Sequence, residues 1–344
     1  MLLDEIKRMG AFDVNACFSC GVCTATCPLS ESGDEFPRKL IRYAMVGLEK
    51  ELLGSPQLWE CYYCGECTKS CPRQADPGGF MMAARRYAIT KYSLGKIGRV
   101  FYDKIIGPIA YVLLSALSLI GIFLISGDPS RSQIFSVPEV DIHVAGLILG
   151  AFVLIVALTN LVIMYRYMSG TRSFSRDLRV WVRSLIKVIA KEVLAQERFS
   201  NCSDRIRRYA HISLVWGFIS LMVATSIDYI TGSRPLAGMI FGYVGGVMII
   251  FGSGFFIYQR LKKKEPYSLY SDFVDWAFII LIFLAGCTGF ALDFLTGTAA
   301  ITMMYIHLTV VFDLIVTAPF TKFAHAIYRT FALWLKEVQI KRAS

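Results

Sequence analysis

Six stretches of this chain, at about 108 to 126, 143 to 165, 211 to 230, 237 to 258, 273 to 295 and 301 to 328, are long, apolar and nearly free of charge. A run of about 20 such residues spans the hydrocarbon layer as a helix, so most of the chain is expected to form an all-α membrane bundle. Hydrophobic residues make up 55% of the sequence and the mean hydropathy is +0.51, which excludes a soluble enzyme. Pro108 opens the first span, where proline is tolerated, and Pro319 is expected to kink the last.

An even number of spans puts both termini on one side. With an inside start, 34 of the 36 lysines and arginines fall in inner segments, and only Arg131 and Arg234 lie outside. That division predicts cytoplasmic N- and C-termini in the cell inner (cytoplasmic) membrane. The opening MLLDEIKRMG has no long apolar region and agrees. The net charge of +10 is thus explained by inner loops; with no basic and aromatic recognition motif, nucleic acid is not an expected partner. In the inner loop at 170–205, Arg176, Arg179, Arg183, Lys187 and Lys191 recur at helical spacing beside Leu178, Trp181, Leu185, Ile189 and Val193. This reads as an amphipathic helix on membrane lipid rather than a docking surface for a soluble partner.

Residues 1–100 carry different chemistry. Two runs, CFSCGVCTATCP and CYYCGECTKSCP, place Cys17, Cys20, Cys23 and Cys27, then Cys61, Cys64, Cys67 and Cys71, each as C-x2-C-x2-C-x3-C-P. In this two-cluster [4Fe–4S] pattern three close thiolates hold one cluster and the fourth crosses to the other. The first cluster is therefore expected on Cys17, Cys20, Cys23 and Cys71, and the second on Cys61, Cys64, Cys67 and Cys27. Zinc also uses C-x2-C pairs, but one tetrahedral ion needs four ligands and does not call for two such runs. Gly21 and Gly65 let the backbone turn tightly. Between the runs, FPRKLIRYAMVGLEKELL has helical periodicity with Leu40, Ile41, Ala44 and Leu48 on one face, and a second helix is expected from Gly79 to Tyr92. The domain is expected to be an α-helical two-cluster ferredoxin.

Residues 101–330 form the membrane domain and hold all four histidines, with 331–344 as a cytoplasmic tail. His307 and His325 are 18 residues apart, five full turns, so on one continuous helix both project from one face about 27 Å apart. Counting span directions, His143 and His307 lie at the outer surface and His211 and His325 at the inner one. Depth matching gives two bis-histidine haem b sites, an outer and an inner. Gly146 and Gly150, three and seven residues after His143, leave room for a macrocycle or allow close helix packing. Arg131 or Arg234 outside, and Arg207, Arg208 or Lys322 inside, are candidate propionate partners. Asp313, near mid-membrane, either relays protons or, the reading we favour, hydrogen-bonds a neighbouring helix. Asp228 and Asp293 at outer helix ends are expected to be solvated, and Cys202 and Cys287 receive no chemistry.

These residues resemble known proteins. CFSCGVCTATCP and WECYYCGECTKSCPR are similar to the iron–sulfur C-type subunit of heterodisulfide reductases. The membrane part, with histidines 18 apart on its last helix, resembles the cytochrome b E-type subunit of those enzymes and the gamma subunit of respiratory nitrate reductase. Their fusion looks most like the C-type subunit of the quinone-interacting membrane-bound oxidoreductase complexes of sulfate reducers. The resemblance implies haem b, menaquinone, flavoprotein iron–sulfur partners similar to the A-type subunit of heterodisulfide reductase, and adenylylsulfate reductase as downstream acceptor. The expected function is that of a membrane-anchored electron-transfer subunit, acting as a quinone oxidoreductase only with its partners, with quinol oxidised beside the outer haem. No CCG motif for a disulfide-reducing cluster occurs. The alternatives are a membrane subunit of a heterodisulfide-reductase-type complex without quinone, and a non-redox iron–sulfur scaffold.

Overall fold

The computed structural model describes residues 1–30, 35–126, 139–170, 173–201 and 205–339, with side chains undescribed also at 125–126, 139–143 and 200–201. The described residues are helical, without a sheet. The cysteine region contains α1 (Leu2–Arg8), α2 (Val22–Ala25), α3 (Arg38–Met45), α4 (Glu49–Leu53), α5 (Gln57–Glu60), α6 (Glu66–Lys69), α7 (Pro77–Tyr92) and α8 (Gly98–Tyr102). The membrane region adds α9 (Ile106–Ser126), α10 (Glu139–Ser169), α11 (Leu178–Val188), α12 (Arg205–Thr231), α13 (Leu236–Lys262), α14 (Pro266–Leu269), α15 (Phe273–Phe294), α16 (Gly297–Thr317) and α17 (Ala324–Val338). Six of these, α9, α10, α12, α13, α15 and α16, are long and apolar enough to cross a membrane.

Leu40, Ile41 and Ala44 of α3 are buried as their periodicity requires, but Leu48 is exposed. Gly47 takes a φ of +79° and ends the helix one turn early, so the periodic face does not continue through it. The helix expected from Gly79 starts two residues sooner, at Pro77, because Asp76 caps it by accepting from the Gly79 N–H.

The sixth span departs from the sequence reading. The helix expected over 301–328 stops at Thr317 and a new one starts at Ala324, so His307 and His325 are not on one continuous face. Pro319 has no N–H to continue the ladder. The freed groups are satisfied locally: Thr321 donates to the Thr317 carbonyl at 2.8 Å, and Asn160 of α10 donates to the Pro319 carbonyl at 3.0 Å. Asp313 consequently sits four residues from the end of its span, rather than near the middle. Residues 331–338, expected as tail, belong to α17, where Ala332, Leu333, Leu335 and Val338 are buried.

One apolar core runs through both regions. Trp59, Tyr87 and Tyr92 of the cysteine region share it with Met164 and Met168 of α10 and Ala324, Tyr328 and Val338 of α17. Tyr92 and Tyr328 meet edge to face at 5.4 Å, and Trp59 and Tyr328 at 5.5 Å. The side of α11 carrying Trp181 packs on α17, with the Trp181 and Trp334 rings 5.1 Å apart. Its other apolar side, Leu178, Val182 and Ile186, stays exposed.

Candidate functional site

The two cysteine runs fold as near copies. Ser19 and Tyr63 take φ of +64° and +56°, and Gly21 and Gly65 take +90° and +86°, so each loop makes the same two left-handed turns around its first three cysteines. Cys23, Cys61 and Cys67 are buried, Cys17, Cys27, Cys64 and Cys71 half-buried, and Cys20 exposed. Cys23 lies within electrostatic range of Cys17, Cys20 and Cys71. Cys67 interacts in the same way with Cys61, Cys64 and Cys27. Cys27 thus lies among Cys61, Cys64 and Cys67 of the second run, and Cys71 lies within electrostatic range of Cys23 of the first.

A small, partly open cavity is lined by Cys27, Cys61, Cys64 and Cys67 together with apolar groups such as Leu29, Phe36 and Met81. Among the described residues no three His, Cys, Asp or Glu converge closely enough to share one metal ion. Four thiols spaced round a cavity suit a polynuclear group better than a single tetrahedral ion. Burial pushes the Cys27 thiol up to about 11, with the neighbouring Cys61 and Cys64 adding to it. A bound cationic group would lift that penalty, since it favours thiolate.

Behind this cavity lies a seam that the sequence did not announce. Short α5 ends at Glu60, and three arginines take main-chain carbonyls of its last turn and of the segment that follows, from Leu58 to Tyr63. Arg85 of α7 donates to the Leu58 carbonyl at 2.7 Å and also to that of Cys61. Arg329 of α17 donates to the Trp59 carbonyl at 2.8 Å. Arg207 of α12 takes the Tyr62 and Tyr63 carbonyls, each at 2.8 Å. The orphan carbonyls of a helix end are where cations are favoured, and the guanidinium fork lets one side chain hold two of them. Glu60, also buried, pairs with Lys336 at 2.7 Å and with Arg198 at 3.4 Å. A hint was present in α7, whose adjacent Arg85 and Arg86 stand in an otherwise apolar stretch and are both buried.

Two of the predicted histidines reach this seam. The His325 ring lies 5.9 Å from the Trp59 ring, two residues before Cys61. His325 and His211 are within electrostatic range of each other, and burial together with Arg85, Arg329 and Lys322 pushes the His325 imidazole well below its usual range, keeping it neutral. The His211 Nδ1 is 2.9 Å from the Gln196 side-chain oxygen, and its ring stacks on Phe199 at 5.0 Å. His307 lies apart, its Nδ1 2.8 Å from the Thr288 hydroxyl. That hydroxyl donates to the Leu284 carbonyl, so it accepts from Nδ1–H and leaves Nε2 for another partner. The side chain of His143 lies outside the described residues, as do Arg131 and Cys202. Among the described residues, a Cβ added at Gly146 or Gly150 would meet nothing within 4 Å.

The four described candidate propionate partners make other contacts. Arg207 is on the seam carbonyls, Arg208 donates to the Ala195 carbonyl at 3.2 Å, and Lys322 pairs with buried Asp275 at 2.7 Å. Arg234 pairs with Asp293 at 2.6 Å and lies 3.8 Å from Asp228, so these two aspartates share a counter-charge instead of being simply solvated.

Fold and cysteine region together define a multi-pass membrane iron–sulfur protein of the electron-transfer class. Its N-terminal part matches a 4Fe–4S dicluster domain over residues 13–75. The chain belongs to the citrate utilization protein B family, whose model matches residues 137–344. Citrate utilization protein B of Escherichia coli is 29% identical over 160 residues, 43% of this chain and 41% of that protein. A heterodisulfide reductase C-subunit-like protein of Archaeoglobus profundus is 40% identical over 93 residues, 27% of this chain and 50% of that one. The C-type subunit of the H(2):CoB-CoM heterodisulfide,ferredoxin reductase of Methanothermobacter thermautotrophicus is 39% identical over 56 residues, 16% of this chain and 30% of that protein. The chain spans half or less of the length of these curated relatives. No solved structure matches it.

Proposed function

We propose that this chain is the membrane anchor and quinone-reactive member of a larger complex, passing electrons between menaquinol and flavoprotein iron–sulfur partners resembling the A-type subunit of heterodisulfide reductase. It would do so with two haems b and two [4Fe–4S] clusters, as in the C-type subunit of quinone-interacting membrane-bound oxidoreductases, with adenylylsulfate reductase downstream. The observation that carries this reading is the seam, where the Trp59–Cys61 segment lies against His325 and is held there by Arg85 and Arg329.

The residues fit the groups. Cys27, Cys61, Cys64 and Cys67 around their cavity would hold one cluster, and Cys17, Cys20, Cys23 and Cys71 the other. His211 and neutral His325 would hold the inner haem, and His307 with His143 the outer one. When bound, such groups carry one electron at a time, which a two-electron, two-proton quinol requires of its acceptors. The chain's own part is to fix them: Gln196 and Thr288 orient the imidazoles, the arginines lock the second cysteine run to the bundle, and Trp59, Tyr92 and Tyr328 exclude water between. The exposed stripe of α11 supports its place on the inner lipid surface, and the charge division supports cytoplasmic termini.

An optical spectrum of the purified, dithionite-reduced protein with pyridine haemochrome quantification tests this, followed by a menaquinol analogue as reductant. Two haems b per chain, reduced by the quinol, are expected. Substituting His307 or His325 should remove one haem while the iron content of the cysteine region stays. No haem in the parent protein would leave an iron–sulfur membrane scaffold and defeat the reading.

A further inference from the structure

Asp313 is almost fully buried, at 1% exposure, in a span whose other described residues from Gly297 to Thr317 carry no charge. Ser115 and Ser118 of α9 both donate to its carboxylate, Ser118 at 2.7 Å. That is the helix-to-helix hydrogen bonding expected of it, yet the polar groups do not end there. On α16 and beyond, Asp313, Thr317 and Thr321 recur at intervals of four, all buried. On α9, Tyr111, Ser115 and Ser118 face them at intervals of four and three.

The Tyr111 hydroxyl lies beside those of Thr317 and Thr321 and within electrostatic range of both Asp313 and Asp275. It is buried and, among the described residues, committed to no hydrogen bond of normal geometry. Thr317 and Thr321 spend their own protons on main-chain carbonyls, which leaves their oxygens to accept. Next comes Tyr102 of α8, its buried hydroxyl likewise uncommitted and within range of Tyr111, Asp275 and Arg86. Asp275 closes the series against Arg86 and Lys322, where the cysteine region meets the bundle.

We infer that Asp313 exchanges a proton with the side of the membrane that carries the cysteine domain, through the hydroxyls of Thr317, Tyr111, Thr321 and Tyr102 to the Asp275–Lys322 pair. Hydroxyls both donate and accept, so a file of them passes a proton on while apolar side chains block it. A carboxylate in a membrane span is costly to keep and marks proton relays in pumps and transporters. Tyr111 of α9 is the titratable group that faces Asp313; among the described residues α10 and α15 bring no charge to the carboxylate. The step itself moves only a proton, from carboxylic acid to hydroxyl file and back, with no electron transferred. It goes beyond the quinol reading and does not need it, although a hydroquinone that loses two protons is the kind of substrate such an acceptor serves.

The test is time-resolved infrared spectroscopy of the full chain in oriented vesicles after a pH jump on one side. A carboxylic acid C=O band that is lost in Asp313→Asn should follow a jump on the cysteine-domain side. Tyr111→Phe and Thr321→Val do not touch the carboxylate, yet each should slow that response roughly 100-fold, the low end for loss of a proton-transferring group. A purely structural Asp313 would leave the rate unmoved in both variants. No titrating band lost in Asp313→Asn, a response only to the opposite side, or unchanged rates in both variants would each overturn the inference. Because no quinol enters the measurement, failure of the quinol reading would show separately, in the haemochrome assay.

Discussion

Replacing Arg329 by methionine keeps the volume of the side chain and removes what holds α5 to α17. The guanidinium donates to the Trp59 carbonyl at 2.8 Å, approaches those of Glu60 and Cys61 at 3.3 and 3.4 Å, and lies 3.7 Å from Glu192. A hydrogen bond from a charged donor contributes about 1.5–3 kcal/mol, and the deserted carbonyl adds its own desolvation cost. The two longer contacts add less, and Glu192 keeps Arg198 at 2.6 Å. Against this, methionine saves the cost of holding a guanidinium away from water. The net loss should be about 2–3 kcal/mol, or about a 30- to 150-fold rise in local opening. Native-state hydrogen exchange by mass spectrometry over residues 57–64 reads this directly. Arg329→Lys, which keeps the charge without the fork, should fall between the two. Exchange within about threefold of the parent in both variants would refute the idea that this arginine fastens the cysteine region to the bundle.

Gly65→Ala should be much worse than Gly21→Ala although both sit at positive φ. A Cβ at Gly65 would come within 2.4 Å of the Pro266 ring, whereas at Gly21 it meets only the end of Arg38 at 3.4 Å; we expect about 1–3 kcal/mol of backbone strain at each, and loss of bound iron from the Gly65 variant alone, read as iron per protein. Asn160→Ala removes the acceptor of the Leu94 N–H, now 2.7 Å away, and the shorter of two donors to the Pro319 carbonyl, to which the Tyr328 hydroxyl also donates at 3.5 Å; at about 0.5–1.5 kcal/mol per hydrogen bond lost, thermal denaturation should show a drop. Lys322 is pushed down to about 8 chiefly by burial, with Asp275 opposing and Arg260 and Arg86 adding. Burial disfavours the ammonium, so the neutral amine appears earlier as pH rises, and the rate of amine labelling of Lys322 should be half-maximal near that value.

The spans and the two-cluster cysteine region were legible because each rests on a periodicity or spacing that local chemistry enforces. A membrane helix must satisfy its own backbone, so apolar length alone located five spans within a few residues. Two errors share a cause. Leu48 and the helix through Tyr328 were both placed by continuing a period across a residue that stops it, Gly47 in one case and Pro319 in the other. The seam was less visible still. Arg85, Arg207 and Arg329 are 122 residues or more apart from one another in the chain, and all three act on main-chain carbonyls, which have no side-chain signature.

The break at Pro319 changes what positions the histidines. The pairing of His211 with His325 was drawn from a single helix carrying His307 and His325, and that helix does not exist as one, yet His211 and His325 still lie within electrostatic range of each other. They do so because Asn160 ties the Pro319 carbonyl to the Leu94 N–H at the end of the cysteine region, and α17 then runs under Trp59. His325 is therefore placed by the cysteine region, whereas His307 is placed by Thr288 within the bundle. A perturbation that loosens the seam, such as Arg329→Met, should disturb the surroundings of His325 and leave those of His307 alone. The opposite pattern would mean that the two histidines are held as one unit after all.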